Sequence, residues 1–377
     1  MPIPDHSPDP ARIQADLEAL VALESPTEDA ARVTAAIAAV ETRLAEAGAE
    51  TTRIPGRDGF GDHLAATLAG GREGAPVLIL CHLDTVHPVG AFGPAPVRIE
   101  GRRLIGPGSV DMKGGVALAL ALVRTLAADP APRRPVRLLF TSDEEVGSPT
   151  SRALIEAEAA PASHVLVVEP AREGGGVVTG RRGVGRYVVR AHGRPSHSGL
   201  DHPAGRSAIR TLARAILEIE AMTDYTRNVA LNVGTVRGGT GANVVPEHAE
   251  ALVDLRIDDP ADAEEFDARI RALASGDEGV TLTVEGGINR PPYRRSPGID
   301  SLLALAREAG APLGLALPDV HTGGGGDSSF VAAMTPVLDG LGVAGGGAHT
   351  LGEWVDLDSL APRGALLARL TDRVARM

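Results

Sequence analysis

The sequence predicts an α/β domain interrupted by an inserted ferredoxin-like β-α-β-β-α-β unit. Three observations carry that expectation. In the first half, short continuous apolar runs alternate with helix-spaced segments, the pattern of buried strands between covering helices. Near residue 182 the pattern changes to six elements in the order β-α-β-β-α-β, a split unit. After residue 290, helix-spaced segments resume, so the first domain continues on the far side of the insertion.

The elements follow in order. Residues 10–24 and 29–48 have helical apolar spacing, and 77–81 is a short apolar run that fits a strand buried on both faces. Residues 114–126 are Ala/Leu-rich and helical, 136–141 a buried strand, 150–159 a helix and 164–168 a third strand. In the inserted unit, strands are expected at 184–191, 228–237, 249–258 and 280–285, with helices at 204–221 and 260–275. Helices around 298–309 and 356–376 close the chain. The resulting boundaries are 1–182, 183–290 and 291–377, with the outer two segments forming one domain. A length of 377 residues fits two domains, and with only 2% aromatics their cores must rest on Leu, Val, Ala and Ile.

Composition excludes several function classes. A formal charge of −12 argues against binding nucleic acid or an anionic membrane surface. No apolar run is long enough to span a bilayer, and the first residues lack the basic-then-apolar pattern of a signal peptide. The single Cys81 permits no intrachain disulfide and suggests a reducing compartment, so a cytoplasmic location is expected. Gly323–Gly326 lacks the Lys-Ser/Thr of a phosphate loop, and Ser148 and Ser196 lack a nucleophile-elbow context.

Groups of another kind collect at strand ends. His82 and Asp84 stand two apart at the end of an expected strand, so in extended chain they point to one side. His82 would be a metal ligand and Asp84 the carboxylate that sets its tautomer, although alone the pair fits an ordinary strand end better. Asp111, in the Gly-rich run before a helix, could bridge two cations or cap that helix. Asp143-Glu144-Glu145 follows a buried strand, and adjacent acids there repel unless cations or solvent neutralise them. One Glu can bind metal while its neighbour activates water. Glu169 follows four apolar residues directly, and His349 and His197 lie in expected loops. Two His and several carboxylates converging at strand ends is what a two-metal hydrolytic site needs, and oxygen ligands with His but no thiolate fit Zn, Mn or Co. Cys81 should point away and pack as a small hydrophobe.

Three runs carry a resemblance to a known family: His82-Leu83-Asp84-Thr85-Val86, Gly108-Ser109-Val110-Asp111-Met112-Lys113-Gly114-Gly115, and Asp143-Glu144-Glu145-Val146-Gly147. With them, nearly the whole chain resembles the dinuclear-zinc metallopeptidases and deacylases. That family includes bacterial glutamate carboxypeptidase, succinyl-diaminopimelate desuccinylase, acetylornithine deacetylase and aminoacylase. The resemblance implies a zinc-peptidase-like catalytic domain with the inserted unit acting as lid and dimerisation domain. It implies that Asp111 bridges two cations through a residue whose peptide bond to Met112 is cis. It further implies that His82 and Glu169 complete one ion, Glu145 and His349 the other, that Asp84 orients His82, and that Glu144 is the general base. His197 matches a lid residue that, in dimeric members, reaches the partner's site. Asn243, Arg256 and Arg290 match substrate-facing positions, and Gly323–Gly326 with Asp327 a substrate loop. The motif around His349 and Glu353, with Arg194-Pro195-Ser196-His197, is closer to the carboxypeptidase-like branch.

The expected activity is therefore metal-dependent hydrolysis of an amide or peptide bond next to a C-terminal free carboxylate, in a homodimer. The expected cofactors are two divalent cations per chain, Zn2+ first, with Co2+ or Mn2+ as alternatives. They would lower a water's pKa from about 15.7 to roughly 7. Glu144 would take the proton and an Arg, uncompensated in the cleft, would hold the substrate carboxylate. An N-acyl-amino-acid deacylase is the alternative with the same chemistry. A non-catalytic metal or small-molecule binder is the alternative of another class, and the second acid beside Glu145 argues against it.

Overall fold

Strand Val77–His82 (VLILCH) is buried at every position, and this places it in the middle of a sheet. The computed structural model describes residues 7–377. Contacts divide the chain into two compact units. The first is the N-terminal stretch to Thr179 with Arg295–His321 and Gly326–Met377; the second is Gly180–Arg294 with Thr322–Gly325.

The first unit is built on a six-stranded mixed sheet. Its strands are β1 (Glu50–Ile54), β2 (His63–Leu68), β3 (Val77–His82), β4 (Val136–Thr141), β5 (His164–Val167) and the short Val337–Leu338, in the order β1-β2-β4-β3-β5 and then Val337–Leu338. β3 runs parallel to both β4 and β5, while β1 and β2 pair antiparallel at one side. The sequence did not suggest β1 or β2. β1 reads Glu50-Thr51-Thr52-Arg53-Ile54 and is mostly exposed, as an edge strand can be, so it lacks the apolar run that marks a buried strand. Helix Gly114–Ala127 is buried along most of its length and packs against Leu360–Arg376 and Pro10–Ala22. The core is Leu, Val, Ala and Ile almost throughout, with Phe140 one of few aromatics. Cys81 lies in it, and burial pushes its thiol pKa up. The helix read at 150–159 begins instead at Arg152, because Thr150 and Ser151 are tied to Asp143. A small four-stranded sheet of Arg98–Glu100, Arg103–Ile105, Trp354–Asp356 and Gly345–Gly346 frames the loop that carries His349.

The second unit has β6 (Gly183–His192), β7 (Ser196–His197), helix Ala208–Glu220, β8 (Ala230–Gly238), β9 (Val244–Val245), β10 (His248–Ile257), helix Pro260–Arg271 and β11 (Thr281–Arg290). The main sheet has the order β8-β10-β6-β11, antiparallel throughout, and β7 pairs with β9 as a separate ribbon. This is the β-α-β-β-α-β unit with its first strand inside the sheet. Side chains such as Tyr187, Leu212, Leu255 and Phe266 form its own core. Thr322–Gly325 join this unit by specific bonds: Arg182 N donates to Thr322 O at 2.9 Å, and buried Arg181 Nη1 to Gly324 O at 3.1 Å and Gly325 O at 2.5 Å. Among the described residues no helix is long and apolar enough to cross a membrane.

Candidate metal centre

Parallel pairing of β4, β3 and β5 brings their C-terminal ends to one edge, where open α/β sheets place their sites. His82 is the last residue of β3. Glu144 and Glu145 open a short 3-10 turn, Glu144–Val146, beyond β4, and Glu169 lies just past β5. Asp111 comes from the turn before helix Gly114–Ala127, and its peptide bond to Met112 is cis, as the resemblance implies. His349 arrives from the loop between Gly345–Gly346 and Trp354–Asp356, with φ of 65°, a conformation uncommon outside glycine.

The two oxygens of Asp111 face two different imidazoles. Oδ1 lies 3.4 Å from His82 Nε2, and Oδ2 lies 3.4 Å from His349 Nε2. Glu169 Oε1 is 3.6 Å from His82 Nε2, and Glu145 Oε2 is 3.2 Å from His349 Nε2. His82, Asp111 and Glu145 each place a donor atom within 4.8 Å of the others. His82 Nε2 is fully buried yet has no hydrogen-bond partner. Ligands sharing an ion at about 2.0–2.2 Å stand roughly 3.0–3.4 Å apart. An orphaned buried nitrogen aimed at two carboxylates, with spacings of that size, fits a metal ligand.

Supporting residues hold these donors in place. His82 Nδ1 lies 3.0 Å from the Asp84 carbonyl and 3.4 Å from its carboxylate. The Asp84 side chain, fully buried, accepts from the backbone N–H of Glu144 at 3.2 Å and Glu145 at 3.1 Å, and from Thr27 Oγ1 at 2.8 Å. It therefore positions the acidic turn as well as the imidazole. Asp143 is spent on the fold: its oxygens accept from Thr150 N and Oγ1 and from Ser151 N and Oγ. Only two of the three consecutive acids are left for the site. Sequence reasoning took Glu353 only as part of a motif and gave it no role. Buried, it accepts from Val110 N at 2.9 Å, Asp111 N at 3.0 Å and Gly108 N at 3.2 Å, and pairs with His87 Nε2 at 2.7 Å. It ties the His349 loop to the Asp111 turn. Lys113 is fully buried and donates to Leu23 O at 2.9 Å.

The electrostatics follow from so many acids in so little water. Burial, reinforced by the charge on Asp111, pushes the Glu145 carboxyl up to about 8. Burial and Asp111 also raise Glu169 well above the carboxylate range. Charge on Glu144 adds to both shifts. Hydrogen bonding to Asp111 and Glu145 raises His349 to about 10. Burial opposes charge on Asp111, but His349 and His82 hold it low. Without cations the cluster retains protons, and cations would displace them. Beside Glu145, Thr27 and Asp29 line an open cavity of about 450 Å³.

The remaining sequence-derived residues lie in the second unit. His197 ends β7 and is exposed, and its Nδ1 accepts from Gly199 N at 3.1 Å and Leu200 N at 3.2 Å. That fixes the proton on Nε2. Exposed Asn243 directly precedes β9, and its carbonyl accepts from Ser198 N at 2.9 Å. Arg290 is buried at the end of β11. Arg256 corrects the expectation of an uncompensated cation. Its guanidinium grips Asp254 at 2.8 and 3.2 Å, because residues two apart on a strand share a face.

Comparison with known proteins agrees with this geometry. Residues 78–373 match the family model described as Peptidase family M20/M25/M40. Carboxypeptidase G2 of Pseudomonas sp. (strain RS-16) is 32% identical over 370 residues, covering 94% of this chain and 87% of that one. A succinyl-diaminopimelate desuccinylase of Paracoccus denitrificans is 31% identical over 287 residues, 71% of this chain and 74% of that one. Among solved structures, aminopeptidase PepT from Bacillus cereus superposes with a TM-score of 0.78 at 22% identity, covering 98% of this chain and 100% of that one. A dinuclear metal binding peptidase of the M20 family from Bacillus subtilis gives 0.69 at 19% identity, over 97% and 98%.

Proposed function

Because the chain belongs to peptidase family M20/M25/M40 and is a hydrolase of that family, we propose that it cleaves an amide or peptide bond beside the free carboxylate of a C-terminal amino acid. The observation that carries the site assignment is the two-sided Asp111, with one oxygen toward His82 and the other toward His349. Asp111 would hold both cations, with His82 and Glu169 serving one and Glu145 and His349 the other. Zinc is the first choice for a donor set of imidazole and carboxylate, with Co2+ or Mn2+ as alternatives. When bound, the pair supplies Lewis acidity and an acidified water.

The chain's own residues do the rest. Asp84 sets the His82 ring through Nδ1 and fixes the turn that presents Glu144. Glu144 takes the proton of the attacking water and returns it to the leaving amine. His197, with Nδ1 engaged by two backbone N–H groups, offers Nε2–H to the oxyanion of the tetrahedral intermediate. Asn243 contacts the substrate backbone. Arg256 or Arg290 holds the substrate carboxylate, where a planar fork suits two oxygens. An N-acyl-amino-acid deacylase is the second reading, supported by the desuccinylase relative. Under either reading the protein works as a homodimer joined through the second unit.

The test is hydrolysis of dipeptides and N-acyl amino acids by zinc-loaded protein, each beside its C-terminal amide. The free acids should be turned over, and amidation should remove most of kcat/KM. Equal turnover of acid and amide would overturn the carboxylate requirement.

A further inference from the structure

His192 and His248 are directly opposite each other where β6 ends and β10 begins. Their Nδ1 atoms are 3.0 Å apart and their ring centroids 4.6 Å. Two imidazole nitrogens cis on a six-coordinate ion, each at about 2.1 Å, stand about 3.0 Å apart. Glu247 adds a carboxylate, and all three residues place a donor atom within 4.8 Å of one another. The backbone fixes the arrangement, since Gly193 N donates to Glu247 O at 2.7 Å. Charge does not oppose a cation strongly. The nearby Arg190 guanidinium is held between Glu250 at 2.7 Å and Glu285 at 2.6 Å. The three donors line an open cavity of about 500 Å³, with room for water to complete a coordination shell.

We propose that His192, Glu247 and His248 form a separate divalent-cation site for nitrogen-preferring metals such as Zn2+, Ni2+ and Cu2+. It shares no ligand with the centre around Asp111. Its place in the chain gives it a consequence. The ribbon of β7 and β9 leaves the sheet through Gly193 and returns through Glu247, and it carries His197 next to Asn243. An ion tying His192 to His248 clamps the base of that ribbon. Two imidazoles should make Cu2+ and Ni2+ bind more tightly than Mn2+.

The inference is independent of the proposed hydrolysis, and its test reads metal rather than turnover. Zn2+ alone is titrated by calorimetry and equilibrium dialysis. Asp111→Ala should retain one equivalent, and that equivalent should vanish in Asp111→Ala combined with His192→Gln and His248→Gln. In otherwise wild-type protein, His192→Gln/His248→Gln should lower the total by one equivalent, a measurement that stands even if Asp111→Ala folds poorly. Cu2+ bound to the Asp111→Ala protein should show nitrogen coupling from two imidazoles by electron paramagnetic resonance. An unchanged total in the double His variant, or absent imidazole coupling in folded Asp111→Ala protein, would overturn the site and leave only a cross-strand hydrogen bond.

Discussion

Glu144 and Glu145 are adjacent, and their losses should differ in kind. Glu144→Gln should keep its metal and lose turnover by about 10²–10⁴ or more, the usual worth of a positioned proton shuttle. Glu145→Gln, which removes a carboxylate 3.2 Å from His349 Nε2, should lose metal first. Metal analysis beside a kcat measurement separates the two, and near-wild-type turnover in Glu144→Gln would refute the base assignment. The sequence showed three consecutive acids but not their division of labour. Asp143 differs from its neighbours only in meeting Thr150 and Ser151, which depends on how the turn closes. His63 gives a second prediction at this scale. Its ring sits 3.2 Å from both Ser142 Oγ and Thr150 Oγ1, and burial holds its pKa below the ordinary 6.5 against the charges of Asp143, Asp84 and Asp62. Below that pH the unfolded chain takes up a proton that the folded protein resists. The stabilisation is therefore present above pH 6.5 and lost as pH falls below it. Between pH 7.5 and 5.5, the urea midpoint should fall more in the wild type than in His63→Gln. Parallel profiles would remove His63 as the cause.

Among elements, the loop 347–353 repays the closest attention. Its Gly-rich run was legible as a loop, and His349 gained a role there only through the family resemblance. The role of Glu353 was not legible. Its backbone partners at Gly108, Val110 and Asp111 are 245, 243 and 242 residues away in sequence. Glu353→Gln keeps the shape but replaces one acceptor oxygen by a donor, which faces either Gly108 N and His87 or the other two N–H groups. Leaving buried donors unpaired should cost about 1–3 kcal/mol of stability and should weaken zinc binding by displacing Asp111. Urea unfolding of the metal-free protein and a zinc titration check this, and a variant unchanged in both would show the contacts to be incidental. Strands buried on both faces announced themselves by composition, as β3 and β5 did. β1 and β2 did not, since an exposed edge strand and a buried partner reading His-Leu-Ala-Ala-Thr-Leu, broken by His63 and Thr67, lack a continuous apolar run of that kind.

At the scale of the molecule, the order of the inserted elements was legible because each strand and helix of that unit has its own period and its own buried face. Assembly was legible only as what the family resemblance implies. β8 is an edge of its sheet, with Val236 exposed on it, and helix Ala208–Glu220 beside it exposes Ile209 and Leu217. Pairing of two β8 edges about a two-fold axis would cover them. Ultracentrifugation should give a dimer. Mixing His197→Ala with Glu144→Gln should regain activity if His197 serves the partner's site, since a mixed dimer then holds one intact set. No recovery after verified subunit exchange would refute that arrangement. The interrupted first unit also has a consequence for the protein's birth. His82, Asp111, Glu145 and Glu169 are all translated before the inserted strands, while His349 and the helix Leu360–Arg376 that packs on Gly114–Ala127 come after them. A nascent chain thus carries a crowd of acids on an incompletely covered sheet until His349 and that helix have been made, so no hydrolytic power should precede them, and chains cut short before His349 should be inert and prone to aggregate.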